Sequence, residues 1–182
     1  MKIKDISLCQ KCSLHLNQSP LLDEEKECDV FWVGLSAKLA TTNKIPLSPD
    51  TNTGTIIEQI ENSLPNVRFY KTNLVKCVPL DANKKLRYPT NKEINYCISN
   101  LQTEIDTLSP KIVILLGSQV INSVSKYLKT EINKPTDFHY TYKEINGIYY
   151  IPVHHPAYVW VYKRKMLNQY LSEIKKLINK LI

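Results

Sequence analysis

The sequence predicts an α/β protein, a three-layer α/β/α sandwich around a central, largely parallel four-stranded sheet. Two observations carry this. Short apolar runs that read as buried strands alternate with longer segments of helical period. Those runs end at Gly34, Asn73 to Cys77, Gly117 and His154-His155, which places chemistry-bearing residues at strand ends, where ligands of open parallel sheets bind. No internal repeat, low-complexity tract or Pro/Gly/Ser-rich linker interrupts the 182 residues, so residues 1–182 read as a single domain.

In chain order, Asp29-Val30-Phe31-Trp32-Val33-Gly34 predicts a buried strand, and Thr55 to Leu64 a helix opening just after Gly54. Phe69 to Val75 is the second strand. Thr90 followed by Glu93 is a capping-box pattern ahead of Ile94, Cys97, Ile98, Leu101 and Ile105 at helical spacing, and that helix should stop before Pro110. Lys111 to Gly117 is a third strand and Ser118 to Leu128 a helix. Tyr140 to Glu144 and Ile148 to Ile151 flank Asn146-Gly147, a strong hairpin signal. Met166 to Ile182 is a basic amphipathic helix. Of only four glycines, Gly147 is explained by its turn. Gly34 and Gly54 bound a strand-to-helix loop, where the alternative to a plain turn is close backbone approach to a ligand.

Composition excludes other classes. An apolar fraction of 43% is too high for a disordered tail. Apolar runs such as Ile112 to Leu116 fall far short of the ~20 residues that span a bilayer, and Met1-Lys2-Ile3-Lys4-Asp5 has no signal core behind it. The expectation is a soluble, cytoplasmic, monomeric protein without a membrane partner. With 24 Lys plus Arg against 17 Asp plus Glu, the formal charge is +7, which favours a polyanionic partner, nucleic acid above all. Five cysteines in such a chain are an odd count for a disulfide framework. Cys9-x-x-Cys12 with the distant Cys77 and Cys97 can hold zinc or an iron-sulfur cluster, and spacing alone does not choose. The plain alternative is that Cys77 and Cys97 are buried small hydrophobes, the reading Cys28 keeps.

Thr72-Asn73-Leu74-Val75-Lys76-Cys77-Val78-Pro79, then Arg87-Tyr88-Pro89-Thr90, Glu93 and Cys97, resembles the iron-sulfur uracil-DNA glycosylases of family 4. Cys9-x-x-Cys12 with Leu14, Val33-Gly34, Ser109-Pro110-Lys111-Ile112-Val113 and His155-Pro156-Ala157-Tyr158 are similar to further family landmarks, in order along nearly the whole chain. The resemblance implies a structural [4Fe-4S] cluster on Cys9, Cys12, Cys77 and Cys97, the Cys77 to Cys97 interval carrying an insertion at Ala82 to Leu86. It also implies hydrolysis of the glycosidic bond of uracil, or a related deaminated base, in DNA, single- or double-stranded.

Base excision takes the base out of the stack into a closed pocket and stabilises the charge that develops on it. His155, in the family's H-P register, is the expected catalytic donor, although His154 can claim the role on sequence alone. Asn73 would read the uracil edge, since a carboxamide offers an acceptor and two donors; a structural Asn at a strand end is the alternative. Gly34, Leu35, Ser36 and Leu47 complete the expected substrate site, Leu47 standing where the family has an aromatic residue. Gly34-Leu35-Ser36-Ala37-Lys38 departs from the family's G-E-A-P-G, and its Leu35 cannot place water as the acid does. Asp50 is the candidate replacement, against a plain turn Asp. Tyr158, Lys163 and Arg164, in a stretch interleaving aromatic and basic residues up to Lys165, are the expected DNA contacts, against a helix start with a solvated basic face. The rival function is a catalytically weakened or inactive glycosylase-fold DNA-binding protein, such as one of a mobile element or phage.

Overall fold

The computed structural model describes residues 2–39 and 45–182. After a short helix α1 (Ile3–Ile6) and a 3-10 turn (Ser13–Leu16), the elements are β1 (Val30–Ser36), α2 (Asn52–Asn62), β2 (Phe69–Val75), α3 (Asn91–Leu108), β3 (Ile112–Leu116) and α4 (Ser118–Leu128). They continue with β4 (Lys143–Ile145), β5 (Ile148–Val153), α5 (Pro156–Tyr162), a 3-10 turn (Arg164–Met166) and α6 (Leu167–Leu181). The five strands lie in the order β2-β1-β3-β5-β4. The four expected parallel strands are β2, β1, β3 and β5, and β4 adds a fifth, antiparallel edge.

Alternation along the buried strands divides the core in two. Phe31, Val33, Val113 and Leu115 pack on one face with Ile98, Leu101 and Ile105 of α3 and Val120 and Val124 of α4. Val30, Trp32, Ile112 and Ile114 face the opposite layer, made by Ile56 and Ile60 of α2, Val159 of α5 and Tyr170, Ile174 and Ile178 of α6.

The capping box of α3 is formed as expected: Glu93 N donates to Thr90 Oγ1 at 3.3 Å, and Thr90 N to Glu93 Oε2 at 2.7 Å. Ser109, left-handed at φ 46°, closes the helix ahead of Pro110. Three local expectations shift. α2 opens at Asn52, because the Thr51 hydroxyl accepts from Gly54 N at 3.0 Å and caps the helix one turn early. β4 is shorter than Tyr140 to Glu144, because Tyr140 is buried in an aromatic group with Phe138, His154 and Tyr170. α5, absent from the sequence prediction as an element of its own, starts at Pro156 behind its cap His155. The Asn146-Gly147 turn is as expected, with both residues at positive φ (52° and 79°).

Beneath the α3 layer lies a fully buried ion pair. Lys76 and Glu104 both have no exposed side-chain surface, and Lys76 Nζ donates to a Glu104 carboxylate oxygen, to Thr72 Oγ1 at 2.6 Å and to the Asn73 carbonyl at 2.6 Å. The Tyr70 hydroxyl and Thr72 Oγ1 each donate to Glu104 Oε1 at 3.0 Å. Removing one charge strands the other, so Glu104→Ala is expected to lower unfolding free energy by about 3–5 kcal/mol in urea titrations. The double change Lys76→Met with Glu104→Leu should cost much less, because no unpaired charge remains.

Candidate active site

The chain crosses from β2 over β1 to β3, so the strand order reverses around β1, and a crevice forms beyond the carboxyl ends of the parallel strands. It is a cavity of about 770 Å³, lined by Gly34, Leu35 and Ser36 from β1, Asn73 from β2, Leu116 at the end of β3 with Gly117 after it, and His155 after β5. Leu47, Ser48 and Asp50 reach it from the loop before α2. Five segments far apart in sequence therefore meet, and with them every substrate-site residue expected from the sequence.

Gly34 pairs with Asn73 across the sheet. A Cβ on Gly34 would stand 2.4 Å from Asn73 Oδ1 and 2.8 Å from Leu47 Cδ2, so glycine here leaves open the space between the carboxamide and Leu47. Asn73 is only 2% exposed, and its Oδ1 has no hydrogen-bond partner. A buried carbonyl oxygen left unpaired costs free energy, and this one borders a cavity where a ligand donor can satisfy it. Leu47 adopts φ 51°, a left-handed backbone that L residues visit at a cost of roughly 1–2 kcal/mol. Gly54 holds that loop: a Cβ there would sit 1.9 Å from the Ser48 carbonyl oxygen. Gly54 thus serves close approach of protein backbone to protein backbone, and does not line the cavity.

His155 caps α5, its Nδ1 accepting from Ala157 N at 3.2 Å. With Nδ1 so occupied, the neutral ring carries its proton on Nε2. Burial, assisted by the nearby Lys38 charge, pushes the His155 pKa down to about 4, so the ring is a neutral donor at pH 7. His154 does not line the cavity. Its ring stacks on Phe138 and Tyr158, and its Nδ1 meets the Tyr140 hydroxyl at 2.9 Å. Adjacent histidines thus occupy different environments, and the one that lines the cavity is His155, which the H-P register favours.

Asp50 is exposed on the rim, where Ser48 Oγ donates to its carboxylate at 3.1 Å. It is the one carboxylate among the described lining residues. Leu35 lines the wall and packs partly on the core. Tyr158 borders the mouth together with Val161 and Tyr162 of α5. Lys163 and Arg164 lie just beyond, outside the lining, with the Arg164 guanidinium 4.5 Å above the Trp160 ring. The opposite side of the mouth, Leu86, Arg87 and Tyr88, was not expected as part of the site. Its signal in the sequence is the extra length between Cys77 and Cys97.

Cys9, Cys12, Cys77 and Cys97 line a second, small cavity together with His15, Lys76 and Asn100. Asn100 Nδ2 lies 3.5 Å from Cys9 Sγ and 3.9 Å from Cys97 Sγ, and Lys76 N donates to Cys97 Sγ at 3.3 Å. Burial and the fields of the other three cysteines push the Cys77 thiol up to about 12. Among the described residues, no group of three His, Cys, Asp or Glu side chains is drawn together tightly enough to hold a single metal ion. Cys28 is buried in the α3-side core and does not line this cavity. No helix among the described residues is long and apolar enough to cross a membrane.

The profile of the Uracil DNA glycosylase superfamily matches residues 20–179. The Type-4 uracil-DNA glycosylase of Archaeoglobus fulgidus is 25% identical over 194 residues, covering 96% of this chain and 89% of that protein. The protein of the same name from Sulfurisphaera tokodaii is 27% identical over 90% of this chain and 69% of its own length, and that of Thermotoga maritima 25% over 85% and 79%. In fold, the chain is similar to the crystal structure of wild-type Pedobacter heparinus SMUG2, with a TM-score of 0.54 at 12% identity, covering 86% of this chain and 77% of that one.

The His155 ring is expected to titrate near 4 in an NMR pH titration of the free protein, well below the ordinary histidine value of about 6.5. The folded state then binds its proton later than the unfolded state, so His155 lowers stability as pH falls from about 6.5 through 4. His155→Gln should flatten that part of the stability profile.

Proposed function

This chain belongs to the uracil-DNA glycosylase superfamily, and we propose that it is a uracil-DNA glycosylase that hydrolyses the N-glycosidic bond of uracil in DNA and carries a structural four-iron, four-sulfur cluster. The observation that carries the reading is the pairing, in one cavity, of an unsatisfied Asn73 carboxamide with a neutral His155 whose Nε2 proton is free of the cap bond. The relatives named Type-4 uracil-DNA glycosylase support it.

Uracil extruded from DNA enters beside Gly34, where the missing Cβ lets the Asn73 carboxamide meet a carbonyl and an N–H on the base edge together. Leu47 covers a ring face without the stacking contribution an aromatic residue would give. As the bond from the sugar C1′ to the base breaks, its electron pair leaves with the uracil. His155 Nε2–H donates to the charge that develops there, and a neutral donor does so without holding a buried cation beforehand. Water adds to the cationic C1′ and loses a proton. Asp50, on the rim with Ser48 fixing one carboxylate oxygen, holds that water in place of the acid missing at Leu35. Tyr158, Lys163 and Arg164 engage the flanking DNA, with the Arg164 guanidinium held over the Trp160 ring.

The donors around the second cavity suit a cluster in kind: four soft thiols line it, with Asn100 and the Lys76 amide directing N–H groups at two of the sulfurs. Bound to Cys9, Cys12, Cys77 and Cys97, the cluster would cross-link the N-terminal segment to the end of β2 and to α3.

On a uracil-containing oligonucleotide, the wild-type protein should leave alkali-cleavable abasic sites. His155→Ala should lower the rate about 10²- to 10³-fold, the usual loss of one positioned donor, and Asn73→Ala about tenfold or more. Uracil left intact by wild-type protein that binds DNA would overturn the activity and favour the silent DNA-binding reading, in which Leu35 marks lost catalysis. Protein purified without air should be brown with about four irons per chain, and Cys97→Ser should lose the iron and melt at lower temperature.

A further inference from the structure

The cavity mouth has two banks, and the proposed chemistry uses only one of them. Beyond β2 the chain turns back on itself in a tight hairpin, bridged at Leu80 and Leu86. The Asp81 carboxylate accepts from Asn83 N at 2.8 Å and Lys85 N at 2.9 Å, and Lys84 takes the left-handed conformation at φ 61°. Arg87 braces the base of the hairpin: Nε donates to the Leu80 carbonyl at 3.0 Å, and the guanidinium makes two bonds to Glu93, at 2.9 and 2.6 Å. Arg87 is thereby locked and its charge matched, while its neighbours are held out in solvent. Leu86 is 51% exposed and Tyr88 75%, with Lys84 and Lys85 exposed at the tip.

Across the mouth stand Val161 at 61% and Tyr162 at 73% exposure. More than half of the large apolar side chains that are exposed among the described residues ring this one opening. Apolar surface so concentrated marks a binding site, and a rigid hairpin meets a partner with little ordering cost. Aromatic faces on both banks, lysines beside one of them and a net charge of +7 match a polyanion with open π-faces. A bare DNA strand offers such faces at every nucleotide, whereas duplex bases are already stacked and paired.

We propose that the Leu80 to Tyr88 hairpin is the second wall of a single-strand cleft, in which a base flanking the extruded nucleotide stacks on Tyr88 and Lys84 and Lys85 hold phosphates, so that the substrate is uracil in single-stranded DNA. This rests on the reading that the cavity receives a base from DNA. The test is kept apart from that reading by using uracil-free DNA and binding alone.

Fluorescence anisotropy would be measured with a labelled uracil-free single strand and with its duplex. The proteins would be the wild type, Tyr88→Ala, Lys84→Ala with Lys85→Ala, and Tyr127→Ala as a remote exposed tyrosine of α4, each checked for an unchanged melting temperature. The wild type is expected to bind the single strand more tightly than the duplex. Tyr88→Ala should weaken single-strand binding about tenfold or more, the lysine pair should reduce the salt dependence by about one to two counterions, and Tyr127→Ala should bind as wild type. Unchanged affinity in Tyr88→Ala, or an equal loss on duplex and single strand, overturns the proposal whether or not the protein excises uracil.

Discussion

The buried pair of Lys76 and Glu104 is the constraint to which the functional parts of the molecule are tied. Two charges with no exposed side-chain surface are tolerated only when each is fully matched by its partner and by further hydrogen bonds. Glu104 meets that requirement through Tyr70, Thr72 and Lys76, and Lys76 through Glu104, Thr72 and the Asn73 carbonyl. The pair therefore fixes the end of β2 against α3. Its backbone neighbours are the two sites themselves: Asn73 at the cavity on one side, and on the other the Lys76 amide, bonded to Cys97 Sγ beside Cys77. Asn73 and the cysteine cavity share one rigid support.

Topology supplies the rest of the cavity. The sheet reverses its winding around β1, so the carboxyl ends of β1, β2, β3 and β5 open toward the same crevice. Side chains there are placed by small local devices. Gly34 leaves room for Asn73, Gly54 admits the Ser48 carbonyl so that Leu47 can lean inward, and α5 begins at His155 because its imidazole caps the helix. The cap bond also sets which nitrogen of His155 keeps its proton, so one hydrogen bond serves both the fold and the proposed donor.

The two histidines show how neighbours in sequence diverge in environment. His154 joins an aromatic group with Phe138, Tyr140, Tyr158 and Tyr170 that packs α5 and α6 onto the sheet. That group underlies the α5 side of the cavity mouth, while the Arg87 and Glu93 pair underlies the hairpin side. Both walls of the mouth are thus rigid, and their exposed rings are presented by structure that is itself well anchored.

Local pattern in the sequence was enough for the parallel strands as apolar runs, α3 from its capping box and the Asn146-Gly147 turn, while motif resemblance singled out Asn73, His155 and the four cysteines as candidates. It missed what depends on which distant groups come together. The early start of α2 follows from Thr51 capping against Gly54, and the shortened β4 from Tyr140 burying against His154. The separate environments of His154 and His155, the link from Lys76 to Glu104 and the hairpin bank at Leu86 to Tyr88 likewise arise only when segments tens of residues apart are packed on one sheet. Periodicity and capping act over a few residues, whereas burial, unpaired polar atoms and cavity walls are properties of the assembled chain, and those were decided by the tertiary structure.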